Sequence, residues 1–496
     1  MTDIIEHWVA GASFSGESTR TAPVYNPATG TVSREVRLAS AADVDTAVSA
    51  ASAAFPGWES TSLAKRQAVL FAFREILAAR REEVAALVTN EHGKVLSDAL
   101  GEVARGLEVV EWSTAIPHLL KGEYSENVST GVDVYSVKQA LGVVAIISPF
   151  NFPAMVPLWF VPVAIAAGNA VVLKPSEKDP STAIWLAKAF KEAGLPDGVF
   201  TVVNGDKESV DALIAHPEVA SISFVGSTPI AKYIYENAAR EGKRVQALGG
   251  AKNHMLVLPD ADLDLVADSA VNAGFGSAGE RCMAISVLVA VEPVADELIA
   301  KIAERVAGLK VGDGTRGCDM GPLITREHRD KVAGYLDVAV ADGAKIVVDG
   351  RGIEVDGAAD GFWLGPTLID EVPTTSAVYT DEIFGPVLSV VRVNSYDEGL
   401  AVINSSPYGN GTAIFTNDGG AARRFQREVQ VGMVGINVPI PVPVGYYSFG
   451  GWKNSMFGDV KAYGPQAIQF FTHEKAVTSR WLDPSHGGIN LGFPQN

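Results

Sequence analysis

From residue 142 onward, short apolar runs alternate with longer segments whose apolar residues recur at helical spacing. The apolar runs are rich in β-branched residues and predict buried strands at 142–148, 170–176, 199–205 and 221–226. The intervening segments predict helices at 181–194, 207–216 and 229–241. This alternation predicts a parallel, right-handed, doubly wound α/β sheet. Such a sheet binds its ligands at the carboxyl ends of its strands.

A second alternating series begins after "DADLD" and predicts a second doubly wound α/β domain. Its predicted helices and apolar strands lie at 263–273, 286–291, 294–308, 382–393 and near 419–429. We therefore assign residues 1–121 and 140–258 to a first domain and residues 259–435 to a second. The stretch 436–463 is too rich in Pro and Gly for regular structure, and long connections of this kind are usually functional.

Two polar, β-prone stretches belong to neither of the two predicted domains. They are 122–139, "GEYSENVSTGVDVYSVKQ", and the first part of 464–496, which contains "QAIQFFTHEKAVTSRW". Each stretch has the composition of an edge strand, and edge strands pair readily with another chain. We expect the two to form a β-arm that joins subunits of a homo-oligomer.

Composition and charge exclude several classes of partner. The formal net charge of −18 argues against nucleic acid or an anionic membrane. No apolar stretch reaches the roughly 18–20 residues of a membrane span, and the N-terminus lacks the features of a secretory signal. Two cysteines cannot form a disulfide framework, which favours a reducing cytoplasm. The histidines show no metal-ligand spacing, so no metal is expected.

One of the two cysteines, Cys282, lies in the loop-like stretch "GFGSAGERCMAIS" beside Arg281. A nucleophilic cysteine reacts as its thiolate, which nearby positive charge and backbone N–H groups favour. Cys282 is therefore a candidate nucleophile, although a small buried packing residue remains an alternative. Cys318, in "TRGCDMGP", has no comparable neighbour and is interpreted as a packing residue.

The stretch "SPFNFPAMVP" directly follows the predicted strand at 142–148. Pro149 and Pro153 restrict the backbone on either side of Asn151, so its amide can be held as a rigid hydrogen-bond donor. A donor aimed at a developing oxyanion is commonly the largest contribution to catalysis. The alternative is that Asn151 only caps a turn.

Two further strand ends carry candidate ligand-binding groups. "LKPSEKDPS" places Lys174 and Glu177 at a strand end, where a carboxylate can accept hydrogen bonds from a ribose and repel a 2′-phosphate. "FVGSTPIA" is a strand, a turn and a helix start, and a helix N-terminus binds phosphate well. A solvated charged turn and an ordinary capped helix are the respective alternatives.

Taken in chain order, PFNFP, KPSE, FVGST, LGGAK, a cysteine loop and EIFGP resemble the NAD(P)-dependent aldehyde dehydrogenase superfamily over nearly the whole chain. "GERCMAIS", "GAKNH" and the unusual "GINVPIPVP" are similar to its CoA-acylating methylmalonate-semialdehyde dehydrogenase branch, which also accepts malonate semialdehyde. The resemblance implies an NAD-binding first domain, a catalytic second domain and a homotetramer. It also implies NAD as cofactor, coenzyme A (CoA) as co-substrate and a place in valine or myo-inositol catabolism.

The resemblance assigns roles to residues of this chain. Cys282 is implied to be the nucleophile, and Asn151 with the Cys282 backbone N–H is implied to form the oxyanion hole. Glu382 is implied to hold the nicotinamide ribose. The residues implied to contact NAD are Ser148, Phe150, Lys174, Glu177, Lys178, Ser227, Gly249 and Glu382.

One departure from the wider superfamily bears on the reaction. Ordinary aldehyde dehydrogenases read E-L-G-G-K where this chain reads "QALGGAKNH", and their glutamate activates the water that hydrolyses the acyl-enzyme. Leu248 occupies that position here. Because leucine cannot take a proton, the thioester should persist until a thiol attacks it. A thiol, with a reference pKa of about 8.5, supplies far more anion near neutral pH than water does.

Two arginines are candidate partners for a substrate carboxylate. Arg281 could bind that carboxylate while its charge favours the Cys282 thiolate. Arg105, in "GEVARGLEVVEW", falls where the family has a second carboxylate-binding arginine, although a solvated helix face would explain it equally well. The expected activity is oxidative decarboxylation of a (methyl)malonate semialdehyde to propionyl-CoA or acetyl-CoA. The alternatives are an ordinary acid-forming aldehyde dehydrogenase and a catalytically silent homologue.

Overall fold

The computed structural model describes residues 3–481, together with residues 483, 489 and 491. Of the arm segment expected at 464–496, residues 482, 484–488, 490 and 492–496 therefore lie outside the described residues. Residues 1–2 of the first domain also lie outside them.

The described helices follow in chain order. They are α1 (Ala41–Glu59), α2 (Leu63–Ala79), α3 (Arg81–His92), α4 (Leu96–Ser113), α5 (Ile116–Leu119), α6 (Met155–Ala167), α7 (Ser181–Glu192), α8 (Lys207–Ala215), α9 (Thr228–Arg240), α10 (Leu263–Phe275), α11 (Ala295–Ala307), α12 (Arg326–Ala341), α13 (Ala377–Thr380), α14 (Tyr396–Ser405), α15 (Gly419–Glu428) and α16 (Gly464–Phe470). Short 3₁₀ turns lie at Gly276–Gly279 and Gly314–Arg316.

The described strands are likewise numbered in chain order. They are β1 (Ile4–Ile5), β2 (His7–Val9), β3 (Ala12–Phe14), β4 (Thr21–Asn26), β5 (Thr31–Arg37), β6 (Tyr124–Ser129), β7 (Val132–Ala140), β8 (Val143–Ile147), β9 (Ala170–Lys174), β10 (Phe200–Val202), β11 (Val219–Val225), β12 (Arg244–Leu248), β13 (Asn253–Val257), β14 (Ile285–Val291), β15 (Lys345–Val348), β16 (Thr367–Asp370), β17 (Val387–Val393), β18 (Tyr408–Gly409), β19 (Gly411–Phe415), β20 (Met433–Ile436), β21 (Trp452–Lys453), β22 (Met456–Phe457) and β23 (Thr472–Arg480).

The first large sheet has eight strands in the order β22-β12-β11-β8-β9-β10-β2-β3. Its five inner strands are parallel, and antiparallel pieces close both edges. Successive residues of β8 and β9 belong alternately to two hydrophobic clusters, one on each face of the sheet. Both faces are therefore covered by helices, as a doubly wound sheet requires.

The second large sheet has seven strands in the order β15-β16-β17-β14-β13-β19-β20, and all but the β15 edge are parallel. Its strand β13 pairs with β14 and β19. We expected the residues of β13 in the first domain, because the predicted boundary lay at 258. The chain therefore crosses between the sheets at residues 249–252, ahead of the boundary expected at 258. An apolar run predicts a buried strand but does not say in which sheet that strand lies.

The two β-prone stretches form a separate three-stranded antiparallel sheet, β23-β7-β6. Strands β7 and β23 pair along all nine of their residues. Large apolar side chains of this arm, including Tyr124, Val128 and Val137, are exposed. The two stretches thus pair with each other within one chain, and pairing between subunits stays a prediction.

The Pro/Gly-rich stretch at 436–463 is mostly irregular, with two short strands that the sequence did not indicate. One of them, β22, pairs antiparallel with β12 and extends the first sheet. Within the described part of the chain, no helix combines the length and the apolar character needed to cross a bilayer. The predicted class, two doubly wound α/β units with a β-arm, is confirmed.

Candidate active site

The loop that carries Cys282 follows directly on α10. Ser277 and Ala278 adopt left-handed φ angles of 54° and 52°, and Gly279 follows at 73°. Non-glycine residues adopt this region only at a cost, and such strain is characteristic of functional loops. A side chain at Gly279 would lie 2.1 Å from the Gly385 carbonyl oxygen, so only glycine fits there. The loop is therefore pressed against the segment that carries Glu382.

Two asparagine side chains hold the backbone of the nucleophile candidate. The Asn253 and Asn410 amides donate to the Cys282 carbonyl oxygen at 2.9 and 3.1 Å. Asn253 is the first residue of β13, and Asn410 directly precedes β19. The Cys282 backbone is thus fixed to two neighbouring strands of the second sheet at their amino ends.

A cavity of about 220 Å³ lies in front of Cys282. Six of the residues predicted from the sequence line it together: Phe150, Asn151, Ser227, Gly249, Cys282 and Glu382. They come from both sheets, because β8, β11 and β12 end on one side of the cavity and the Cys282 loop lies on the other. The cavity is concave, partly apolar and supplied with a few polar groups, as ligand sites are.

Asn151 is held by its backbone at the entrance to α6. The buried Lys94 ammonium donates to its carbonyl oxygen at 2.6 Å. Within the described residues the Asn151 amide makes no hydrogen bond, and it lines the cavity with Cys282. Its N–H groups are therefore free to donate to an oxygen bound there.

Glu382 faces the crossing segment between the sheets. The Ala251 backbone N–H donates to its carboxylate at 2.8 Å, and a side chain at Gly250 would lie 2.1 Å from that carboxylate. Burial raises the pKa of Glu382 to about 7, although the Ala251 hydrogen bond and nearby Lys252 oppose the shift. Burial lowers the pKa of Lys252 to about 7.

The charge of Arg281 favours the Cys282 thiolate, but it is not the largest influence on the pKa of this thiol. Burial, followed by the negative charge of Glu382, raises the pKa of the Cys282 thiol to about 12. Arg281 acts in the opposite direction but is outweighed. In low-dielectric surroundings the loss of hydration disfavours the charged form more than one neighbouring cation favours it.

The Arg281 guanidinium already has a partner within the chain. Its Nη2 donates to Asp98 Oδ1 at 2.7 Å, and the pair is mostly buried. Beyond it lies a second cavity of about 420 Å³, which Cys318 also lines. Arg281 therefore stands between the space around Cys282 and this second cavity.

Arg105 has partners different from those of Arg281. Its guanidinium donates to the Val442 and Pro443 carbonyl oxygens at 3.1 and 3.3 Å and pairs with Glu108. The buried Tyr463 hydroxyl donates to the same Pro443 carbonyl oxygen at 2.8 Å. Arg105 thus fixes the Pro-rich segment, and the structure places it outside the cavity in front of Cys282.

The remaining predicted residues form a second group at the ends of β8 and β9. The Ser148 N–H donates to the Lys174 carbonyl oxygen at 3.0 Å. The buried Lys174 ammonium donates to the Gly205 carbonyl oxygen at 2.8 Å and lies 3.7 Å from the Glu177 carboxylate. The Lys178 ammonium lies over the Phe150 ring, 4.7 Å from its centre, and joins this group to the cavity.

Leu248 ends β12 in an apolar setting. It is buried and belongs to a hydrophobic cluster against which Cys282 packs. Its backbone carbonyl accepts from the Gly226 N–H at 3.1 Å, which joins the ends of β11 and β12. Burial of this kind disfavours the charged form of a carboxyl group.

Sequence reasoning missed several residues of the site. His328 and Lys331 line the same cavity, and Lys94, Glu102 and Asp98 support the residues around it. Glu102 carried a signal, because it stands at helical spacing among the buried residues of α4. The described residues contain no cluster of three or more His, Cys, Asp or Glu side chains suited to a metal ion.

Comparisons with known proteins agree with this geometry. Residues 14–477 match the model of the aldehyde dehydrogenase family. A malonate-semialdehyde dehydrogenase of Pseudomonas aeruginosa is 54% identical over 98% of this chain and 99% of its own length. Malonate-semialdehyde dehydrogenase 2 of Geobacillus kaustophilus is 46% identical over 96% and 99%.

Solved structures give the same result. A methylmalonate-semialdehyde dehydrogenase from Oceanimonas doudoroffii superimposes with a TM-score of 0.96 at 53% identity, covering 98% of this chain and 99% of that one. A Sinorhizobium meliloti structure assigned to the same activity, in complex with NAD, has a TM-score of 0.96 at 49% identity, covering 97% and 99%. This chain is an enzyme that belongs to the aldehyde dehydrogenase family.

Proposed function

We propose that this enzyme oxidises malonate semialdehyde, methylmalonate semialdehyde or both with NAD, decarboxylates the acyl-enzyme and transfers acetyl or propionyl to CoA. The observation that carries the proposal is Leu248, an apolar side chain at the position of the water-activating base, in a site that keeps Cys282 and Asn151. The names of the similar proteins support the choice of substrate.

The residues around the cavity fit NAD. Glu382 offers a buried carboxylate to ribose hydroxyls, and Gly249 lets a ligand approach the backbone because a side chain there would lie 2.7 Å from the Asn454 carbonyl oxygen. Ser227 caps α9 without using its own side chain, which leaves the N–H groups of that helix start available to phosphate. When bound, NAD supplies the hydride acceptor.

The chain's own groups carry the acyl chemistry. The Cys282 thiol loses its proton to solvent, its Sγ attacks the aldehyde carbon, and the resulting oxyanion accepts hydrogen bonds from the Asn151 amide and the Cys282 backbone N–H. Loss of hydride leaves a thioester on Cys282. A carboxylate β to that thioester carbonyl departs as CO₂, and the enolate that remains is stabilised by the same two donors before it is protonated.

Leu248 decides how the thioester is released. No carboxylate stands there to take a proton from water, so hydrolysis is slow. A thiol, with a reference pKa of about 8.5, is partly ionised near neutral pH and needs no such base. CoA is therefore the acyl acceptor that this site favours.

The proposal assigns the substrate carboxylate to Arg281, with Arg105 as its second partner. Arg281 adjoins Cys282, and an arginine carries five N–H donors, so its bond to Asp98 leaves donors for a second carboxylate. Arg105 lies further out at the Pro-rich segment.

We also propose that the arm of exposed apolar residues joins a homotetramer, and that the enzyme acts in the cytoplasm on semialdehydes of valine or myo-inositol breakdown.

The first prediction concerns thiol reactivity. In the Cys318→Ala variant, iodoacetamide should alkylate only Cys282, and the NAD-free enzyme should react about tenfold faster for each added pH unit between pH 7 and 9. The raised pKa of about 12 leaves the thiolate fraction rising throughout this range. The measurement is the alkylation rate against pH.

Cys282→Ala is the matched variant. It should abolish NADH formation, whereas Cys318→Ala should keep most of it. An alkylation rate that levels off below pH 8 would show that the free enzyme already stabilises the thiolate. Loss of activity only in Cys318→Ala would move the nucleophile to the other cysteine.

The second prediction tests the acyl acceptor. Without CoA, the enzyme should give a burst of NADH equal to its active sites and then a slow steady phase, because deacylation by water lacks a base. Adding CoA should raise the steady rate and yield acyl-CoA. Rapid turnover without CoA, with free acid as product, contradicts the proposal. Leu248→Glu should restore some water-dependent turnover, unless its apolar setting keeps the new carboxyl protonated.

The third prediction concerns the substrate carboxylate. Arg281→Leu should lower kcat/KM for malonate semialdehyde by about tenfold to a hundredfold, since a charge-assisted hydrogen bond contributes about 1.5–3 kcal/mol. Propanal, which has no carboxylate, should be affected much less. Arg281→Lys, which keeps the charge, should give a kcat/KM for malonate semialdehyde between those of the wild type and Arg281→Leu. Equal losses on both aldehydes would mean that Arg281 acts on the thiol instead.

The fourth prediction concerns cofactor choice. The wild-type enzyme should prefer NAD, and Glu177→Gln should raise kcat/KM for NADP about fivefold, since like charges about 4 Å apart in water repel by about 1 kcal/mol. Glu236→Gln, an equal charge change on α9, is the control and should not alter the ratio. A wild-type preference for NADP would place the Glu177 carboxylate away from the ribose.

A further inference from the structure

A fully buried ion pair lies behind the cavity. The Lys94 ammonium lies 2.8 Å from Glu102 Oε2, and neither side chain is exposed at all. Lys94 precedes α4 and Glu102 lies within it, so both come from a part of the chain that does not line the cavity. A buried pair of this kind is weak evidence for stability, since its desolvation offsets its attraction.

The pair holds one short stretch of backbone from both of its ends. Lys94 donates to the Asn151 carbonyl oxygen at 2.6 Å. Glu102 Oε1 accepts from the Ala154 and Met155 N–H groups at 2.8 and 3.1 Å. The Lys94 ammonium also lies 4.3 Å from the centre of the Phe152 ring, so the stretch 151–155 wraps around the pair.

Pro153 restricts the backbone of this stretch, but no side chain of its own caps α6. The residue before α6, Ala154, has no side chain to cap the helix, and Glu102 supplies the acceptor instead. The Asn151 carbonyl oxygen likewise accepts its hydrogen bond from Lys94, which lies outside the stretch. The Asn151 amide, on the other side of the same residue, lines the cavity.

We propose that Lys94, kept in place by Glu102, is a positioning residue that sets the Asn151 amide for oxyanion stabilisation. The inference rests on the proposed function, in which Asn151 donates to the oxyanion. Removal of one oxyanion-hole donor costs about 10²–10³ in kcat, and a displacement of about 1 Å can cost about 10². Loss of the Lys94 bond should therefore slow acylation by about tenfold to a hundredfold.

The test compares two variants that differ at Lys94 alone. Glu102→Gln keeps one acceptor oxygen for the α6 N–H groups but removes the carboxylate that holds Lys94, so hydride transfer should slow by only about threefold. Lys94→Met combined with Glu102→Gln removes both charges, which avoids an unpaired buried carboxylate. Single-turnover NADH formation with excess NAD and malonate semialdehyde should be about tenfold to a hundredfold slower in this double variant. An equal rate in the two variants overturns the proposal.

A second readout separates positioning from general damage. Alkylation of Cys282 by iodoacetamide forms no oxyanion, so its rate should be within about twofold of wild type in the double variant. Parallel loss of alkylation and hydride transfer overturns the proposal. Lys243→Met removes an ammonium from the His216 and Val219 carbonyl oxygens at a distant site and should change neither rate.

The Asn151→Ala background distinguishes failure of the inference from failure of the proposed function. If Lys94 acts through Asn151, adding Lys94→Met and Glu102→Gln to Asn151→Ala should slow hydride transfer by no more than about twofold further. A full additional loss overturns the role of Lys94 and leaves that of Asn151 intact. Wild-type hydride transfer in Asn151→Ala itself removes the oxyanion role on which both rest.

Discussion

The passage of the chain from β12 to β13 fixes how the two sheets face each other across the site. Within five residues this segment bonds to three of the elements around the cavity. The Gly250 N–H donates to the Thr228 hydroxyl at the start of α9, and the Ala251 N–H donates to Glu382. The Asn253 amide holds the Cys282 carbonyl oxygen. Side chains at Gly249 and Gly250 would collide with Asn454 and Glu382, so glycine is needed at both positions for this close approach. One stretch of backbone thus joins Thr228 at the start of α9 to Glu382 and the Cys282 loop.

Burial of the ionisable groups around the cavity has an electrostatic consequence. Removal of water raises the pKa of Cys282 to about 12 and that of Glu382 to about 7, and it lowers that of Lys252 to about 7. The same exclusion of water protects a thioester from hydrolysis. Under the proposed transfer to CoA, the site would therefore protect its thioester at the expense of the Cys282 thiolate. In such a site, oxyanion donors matter more than thiol ionisation, because the charge moves from sulfur to oxygen during attack.

Sequence reasoning predicted the strands, the nucleophile loop and the residues at strand ends because these depend on short-range patterns. Parallel strands end at a common edge, and residues of "FNF", "VGST" and "LGG", which follow or end three such strands, line one cavity. The partner of Arg281, by contrast, is Asp98, which lies 183 positions earlier in the chain and has no local signal. The sheet that β13 joins and the contact of Lys94 with Asn151 are likewise decided by packing between distant elements. Among the missed residues that support the site, Glu102 had a sequence signal, because it is a charged residue on an otherwise buried helical stripe.

The ion pair between Arg281 and Asp98 bears on how an anionic substrate could be held by a protein whose net charge is −18. A free guanidinium beside the thiol would attract any small anion, because the cation would then be uncompensated in poorly hydrated surroundings. Asp98 neutralises it, so under the proposed role of Arg281 a substrate carboxylate would gain only the donors that Asp98 leaves free. Such a site would attract anions only weakly but would offer directional N–H groups beside Cys282. It would therefore favour a substrate that places its aldehyde at Cys282 and its carboxylate at Arg281 at the same time. Selectivity would then come from the distance between those two groups rather than from charge alone.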